Sequence, residues 1–575
     1  LVWKNLTDGL ESALRAAGAW DDSRPPRIEL AVPRDRSHGD WTTNLALMVA
    51  KPLGLKPREL AARLAEVFPR DPALFEPVEV AGPGFLNFRY AGPFLDALPA
   101  RILAAGDEFG RSSQASGTRV LVEYVSANPT GPLNVVSARA AAVGAALVRL
   151  LRATGHEVAG EFYVNDSGSQ VELLGESLAA RFAERVGAAR ELPAGGYQGA
   201  YLAELAAALP EEEARAALER GELSWFRNQA LDRMIATQQR DLAEYGAEFS
   251  SWFRESTLHR SGAVAETLAE LERRGMIYRA RAPEVGAAER GADEADAGER
   301  GEATYLRTAR FGDDADRVVV RSNGSPTYLL PDVAYHRDKH ARRFRHAIDL
   351  WGPDHHGYIP RMKAALSALG LQPDFLEVLI VQQVNLLSGG EPVKMSKRAG
   401  EFITLRELME DVGADCAKFF FLMRSTGAHL DFDLDLARRH NDENPAYYVQ
   451  YAHARIAALL RYAAERGLAP LEGGVAGACD HPGEIALLRQ LAAFPEVVRG
   501  AAAAREPHRV PGYLVETAAE FHRFYHACRV VSEDRPRSRI RLRLAAAAGR
   551  VLRNGLALLG VTAPDRMDRE VEVEA

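Results

Sequence analysis

Cysteine is scarce: Cys416, Cys479 and Cys528 are the only three in 575 residues, far apart and in no Cys-x-x-Cys pair. That argues against a disulfide framework and a cysteine-based structural metal site, and it suits a reducing compartment. Long apolar runs are missing as well. The alanine-rich stretch 138–151 is broken by Arg139, Gly144 and Arg149, short of the ~20 apolar residues that span a bilayer. Leu1-Val-Trp-Lys-Asn carries no signal-peptide core. The expectation is a soluble, cytoplasmic protein with no membrane partner. Positive charge is not in excess either: 71 Lys and Arg face 79 Asp and Glu, a net charge of −8. A nucleic-acid partner would have to be met by a local basic face. With 47% hydrophobic and 26% charged residues, disordered and fibrous classes are excluded.

What is present divides into three parts, giving a multidomain α/β protein. In residues 1–110, Leu6–Ala17 and Pro57–Phe68 have helical spacing. Ile28–Val32 and Val78–Val80 read as strands, and Gly82–Phe88 as a turn entering another, which makes an N-terminal α+β module. Gly106–Gly117 is polar and rich in Gly and Ser, a linker by composition. Residues 111–440 open with the apolar run Arg119–Val125, a loop, and a helix pattern over Arg139–Thr154. Strand, tight loop and long helix begin a doubly wound, Rossmann-like parallel sheet, where ligands bind beyond the carboxyl ends of the strands. Val318–Arg321, Ala347–Leu350 and Leu376–Val381 are later strand candidates. Residues 284–303 are almost wholly Glu, Asp, Ala, Gly and Arg, and read as an acidic surface insertion, with a partner-binding segment as the functional alternative. Residues 441–575 are helical throughout, over Tyr447–Ala464, Gly483–Ala504, Leu514–Val531 and Ser538–Leu559, an all-α bundle.

The most specific short motif is Lys394-Met395-Ser396-Lys397-Arg398. Two ammonium groups around a hydroxyl on a Gly-flanked loop suit a cluster of phosphate oxygens. Such a loop can neutralise the charge that builds during attack at an α-phosphorus. By itself it could equally be a solvated basic turn. It resembles the KMSK loop of class I aminoacyl-tRNA synthetases, and the whole chain is similar to arginyl-tRNA synthetases. The similarity includes His38–Asn44, Val122–Leu133, Tyr163-Val164-Asn165-Asp166, Tyr328–His336, Asp354–Tyr358, Tyr447–Arg455 and Val551–Leu556.

The resemblance implies an arginine–tRNA ligase that uses ATP with Mg²⁺, L-arginine and tRNA(Arg), holds no structural metal and is monomeric. Its N-terminal module would reach toward the tRNA elbow and its C-terminal bundle would bind the anticodon. It implies catalysis by Lys394, Ser396 and Lys397, and ATP contacts from Pro132, Leu133, Asn134, Ser137, Met395 and Lys397. Arginine contacts would come from Glu123, Ser126, Asn128, Tyr328, Asp332 and His356. For Asp332 the bland alternative is an ordinary carboxylate at a helix N-terminus. Tyr447, Tyr448, Tyr451 and Arg455 would face tRNA, with Arg535, Arg537, Arg539, Arg541 and Arg543 as a basic cluster beside them.

The pattern breaks where these synthetases carry His-x-Gly-His, since the chain has Asn134-Val135-Val136-Ser137. Losing one preorganised donor to the ATP phosphates costs on the order of 3 kcal/mol. Asn134 still offers an amide N–H and Ser137 a hydroxyl. Val136 is expected to occupy space where adenine nears the backbone, leaving the helix N-terminus after Ser137 to supply free N–H groups. Two functions follow: the ligase, intact or slowed, or a silent relative that binds tRNA or arginine. A generic nucleotidyltransferase leaves the helical C-terminus unexplained.

Overall fold

Strands buried on both faces need no alternation of polar and apolar residues, and the continuous run after Gly117 is one of them. The computed structural model describes residues 2–33, 35–281, 301–393, 403–473 and 479–567. The central sheet has five parallel strands: β1 (Arg119–Glu123), β2 (Glu157–Val164), β3 (Ser251–Arg254), β4 (His346–Trp351) and β5 (Leu376–Ile380). Their spatial order is β5-β4-β1-β2-β3. The chain starts in the middle, builds outward to one edge, then returns to build the other. The order therefore reverses between β1 and β4, and a crevice opens beyond their carboxyl ends. Helix α1 (Val135–Ala153) follows β1, and helix α2 (Leu329–Ala341) leads to β4.

Val318–Arg321 is a strand but not one of this sheet. Arg317–Val320 pairs antiparallel with Glu302–Leu306, which pairs with Ile277–Arg281. Glu302 and Ala303, read as the end of the acidic insertion, thus belong to a strand, while the insertion's residues up to 300 lie outside the described residues.

In the N-terminal module Ile28–Val32 forms no strand, only the single bridge Ala31–Thr42. Its sheet is Trp41–Thr43, Phe85–Phe88 and Glu79–Ala81. The segment 106–117 is no free linker: Asn554 Nδ2 donates to the carbonyls of Gly106 (2.9 Å) and Phe109 (3.0 Å). Phe109 also stacks on Phe494. The C-terminal bundle contains helix α3 (Pro445–Ala464) and helix α4 (Arg535–Leu559), with Arg509–Ala527 between them. The stretch read as one helix over 483–504 is two, Pro482–Ala492 and Phe494–Ala504, divided just before Pro495, whose ring and missing N–H disfavour an unbroken helix. Apolar side chains of the N-terminal module, α1 and the bundle share one continuous core. Among the described residues no helix is long and apolar enough to cross a membrane.

Candidate active site

The crevice is built on an unusual turn. After Glu123, both Val125 (φ 69°) and Ser126 (φ 40°) are left-handed, a conformation that a β-branched valine resists. Ser126 Oγ donates to Glu123 Oε1 at 2.9 Å and accepts from the Tyr163 N–H at 3.1 Å. Gly144 lets α1 approach this region closely, because a Cβ there would meet the Tyr124 ring at 2.2 Å. The chain then runs along a cavity of about 680 Å³ lined by Ala127, Asn128, Gly131, Pro132, Val136 and Ser137, and closed opposite by Gly196 and Tyr197. Tyr201 ties the two walls, its hydroxyl donating to the Thr130 carbonyl at 2.7 Å.

Of the residues assigned to ATP, Asn134, Ser137 and Pro132 line this cavity, while the Leu133 side chain is buried. One expectation needs correction. Helix α1 begins at Val135, not after Ser137. The Asn134 side-chain oxygen accepts from the N–H groups of Val136 and Ser137, each at 3.1 Å. That oxygen is spent capping the helix and two of the helix-end donors are already used, so of the Asn134 side chain only the amide N–H₂ is left for a ligand, beside the Ser137 hydroxyl. Val136 forms one wall of this cavity, which is within the size range of nucleotide pockets. Lys394, Met395, Ser396 and Lys397 lie outside the described residues. The chain beyond them returns to this place, where Thr404 bridges Asn134 and the Leu405 N–H donates to the Leu133 carbonyl at 2.7 Å.

The ionised groups cluster in the crevice beside this turn. Glu161 is held by Arg342 (2.7 and 2.8 Å) and by Tyr335. Buried Lys339 donates to Glu123 Oε2 at 2.6 Å and to Asp349 at 2.8 and 3.0 Å. Burial opposes ionisation of Asp349, but Lys339 and His336 outweigh it and hold the carboxyl at about 2. For Glu123 burial prevails over Lys339 and pushes the carboxyl up. Two carboxylates have neither Lys nor Arg among their described contacts. Asp332 accepts from the Tyr358 hydroxyl at 2.9 Å, and burial pushes it up to about 6, against His336 and that hydrogen bond. Glu255 accepts from Tyr163 (3.0 Å) and Ser167 (2.6 Å) and contributes to the upward shift of Asp332.

Of the expected arginine contacts, Glu123, Ser126 and Asp332 thus meet in the crevice, and Asn128, bonded to Gln170 at 2.9 Å, stands at the cavity mouth. Tyr328, at the N-terminal end of α2, is 62% exposed, and His356 is also exposed; neither joins the group. The sequence reading missed Glu255, Tyr358 and Lys339. Glu255 was findable, since it directly follows the carboxyl end of a parallel strand.

In the bundle, Tyr447 is buried and stacks on His440 and Tyr451, so it offers no face to a base. Arg455 lies over the rings of Tyr451 and Tyr525, each at 5.3 Å, and Tyr448 is half-buried against His522. The arginines at the start of α4 have partners within the protein, although Arg535 and Arg539 are exposed and only Arg543 is buried. Arg537 and Arg541 converge on buried Glu484, at 3.1 and 2.8 Å. Arg535 and Arg539 bond the Gly467 and Ala469 carbonyls, and buried Arg543 bonds that of Gly473.

A switch-point crevice with a nucleotide-sized cavity on one side and unneutralised carboxylates on the other defines a class I aminoacyl-tRNA synthetase. Residues 100–419 match the family described as tRNA synthetases class I (R), catalytic domain. Residues 4–90 match the arginyl tRNA synthetase N terminal domain and 449–567 the DALR anticodon binding domain. The chain is 43% identical to the arginine–tRNA ligase of Geobacillus kaustophilus over 572 residues, 98% of this chain and 99% of that one. It is 40% identical to that of Bacillus subtilis, over 98% of each. Its fold is that of Thermus thermophilus arginyl-tRNA synthetase (TM-score 0.76, 24% identity, 98% of this chain and 100% of that one). The chain belongs to the arginyl-tRNA synthetase family.

Proposed function

We propose that this protein is an arginine–tRNA ligase that joins ATP and L-arginine into arginyl-adenylate with release of pyrophosphate, then passes the arginyl group to the 3′ end of tRNA(Arg). The observation that carries this reading is the pair Asp332 and Glu255, two crevice carboxylates with neither Lys nor Arg among their described partners, His259 standing 3.6 Å from Glu255. A guanidinium supplies the missing charge and donors that suit planar carboxylates. Asn128 is assigned to the substrate's backbone end, directing its carboxylate at the α-phosphorus, with Ser126 shaping the turn behind it. That attack forms a P–O bond as the bond to pyrophosphate breaks, and Lys394 and Lys397, with Ser396 between them, are assigned to the charge that develops. Tyr328 and His356 are assigned to the crevice rim. Mg²⁺ is taken to arrive on the triphosphate, whose oxygens and water are its usual ligands. Among the described residues no group of three or more His, Cys, Asp or Glu is placed to hold a metal. The same reading takes the protein as a cytoplasmic monomer.

Single-turnover arginyl-adenylate formation with ATP, arginine and tRNA tests this; no product with arginine would sink it. In the same assay Val136→Gly, made with Asn134→His and Ser137→His, is expected to speed adenylate formation by roughly 10²-fold, as phosphate donors are restored. Equal rates before and after would show that the altered motif costs nothing.

Transfer RNA is assigned to Tyr448, Tyr451 and Arg455 of α3 rather than to the arginines of α4. Phosphate contacts make such binding salt-dependent, so affinity is expected to fall at least about tenfold from 50 to 200 mM salt. A filter-binding titration with no salt slope would remove this surface from consideration.

A further inference from the structure

Lys339 is completely buried, and its ammonium meets Glu123 Oε2 and both oxygens of Asp349 at 2.6–3.0 Å. Glu123 and Asp349 are partners in register across β1 and β4, at the lip of the crevice. The face of Tyr335 lies 4.3 Å from the same ammonium. Such a cluster is a poor source of stability, because desolvating three ions often costs more than an apolar trio of equal volume. The hydrogen bonds leading away from it suggest a different use. The second oxygen of Glu123 accepts from Ser126 Oγ, and Ser126 Oγ accepts from the Tyr163 N–H. Val125 and Ser126 are the two left-handed residues, and the next residues, Ala127 and Asn128, line the cavity. A turn held in sparsely populated backbone regions keeps that shape only where its surroundings fix it. The chain of bonds from Lys339 through Glu123 is what holds the Ser126 side chain, while Gln238 holds the carbonyls of Asn128 and Gly131 further along.

We propose that Lys339 is a positioning residue for amino-acid activation: through Glu123 and Ser126 it holds the turn after β1 in the shape that sets Asn128 and the cavity wall against the substrates. This builds on the ligase reading above. Lys339 touches no substrate in it, and Glu123 serves as the carrier of Ser126.

The test is a double-mutant cycle on the full-length protein with Lys339→Met, Ser126→Ala and the combination. Adenylate formation, KM for arginine and for ATP, and thermal midpoints are all measured. K339M is expected to slow adenylate formation about 100-fold, the scale of a roughly 1 Å misplacement. S126A should act in the same direction with a native thermal midpoint, and the combination should be no slower than K339M alone. Independent effects that multiply, or native rates in either folded single variant, would overturn the proposal. Should K339M not fold, Lys339→Arg takes its place in the cycle, because the forked guanidinium cannot keep both carboxylates where the ammonium holds them. Arginylation by the native protein reports on the ligase reading separately. If that is absent, the same cycle read by calorimetric arginine binding still decides the role of Lys339.

Discussion

Asp332→Asn is expected to lower kcat/KM for arginine by roughly 10³, because a buried charge that loses its partner costs about 3–5 kcal/mol. In the substituted protein the substrate guanidinium would enter the crevice facing Glu255 with half of its countercharge gone. The native protein carries a pH signature of the same group. Burial raises the Asp332 carboxyl to about 6, so in the ligand-free protein it is neutral below that pH and ionised above it. Arginine binds the ionised form, so KM for arginine should rise up to tenfold for each pH unit below about 6, while the Asn variant stays flat there. Burying this charge is a cost in the empty protein. At neutral pH the substitution should therefore leave the ligand-free thermal midpoint unchanged or higher. A lowered midpoint with KM unaffected would make Asp332 a structural carboxylate and remove it from the site.

Arg139→Leu should have the largest effect on stability. Arg139 is fully buried in α1, and its guanidinium donates to the carbonyls of Gln382 (2.8 Å), Gln383 (3.3 Å), Ser425 (2.9 Å) and Ala428 (2.9 Å). No carboxylate is among these partners, and burial lowers its pKa to about 10. It gathers the loop beyond β5 and the 425–428 turn onto the first turns of the helix that carries Asn134 and Ser137. Leucine would take from the Gln382 and Ala428 carbonyls the donor described for each, while those of Gln383 and Ser425 would keep only the N–H groups of Leu430 and Ala428. That is expected to cost about 3–5 kcal/mol, seen in calorimetry as a lowered transition for the central domain and in kinetics as loss of adenylate formation at growth temperature. A midpoint within a degree or two of the native one would show that water or neighbouring N–H groups replace the guanidinium.

Periodicity made the helical C-terminus legible, because α3 and α4 each bury one long apolar stripe whose spacing survives in the sequence. It failed where context decides. Ile28–Val32 has strand composition but only one bridging neighbour. The run 106–117 reads as a linker because its Gly and Ser carry no apolar signal, yet its backbone carbonyls are what Asn554 holds. The cavity wall was legible in the segment from Ala127 to Ser137, most of whose residues line it. Lys339 was not, since a lysine in a helix reads as solvated unless its partners, 10 and 216 residues away, are already known. The arginines of α4 have partners that their dense run does not announce: Arg537 and Arg541 pair with Glu484, and Arg535, Arg539 and Arg543 bond the carbonyls of Gly467, Ala469 and Gly473.

Asp40 lies 3.1 Å from Arg489 of the bundle, and Asn554 of α4 grips the connector. The N-terminal part and the C-terminal bundle are thus clamped directly to one another, like the jaws of a caliper locked at one setting. An RNA that touched both jaws would be gauged by its span before any base was read, and one a helical turn too short would fail however well its loop fitted.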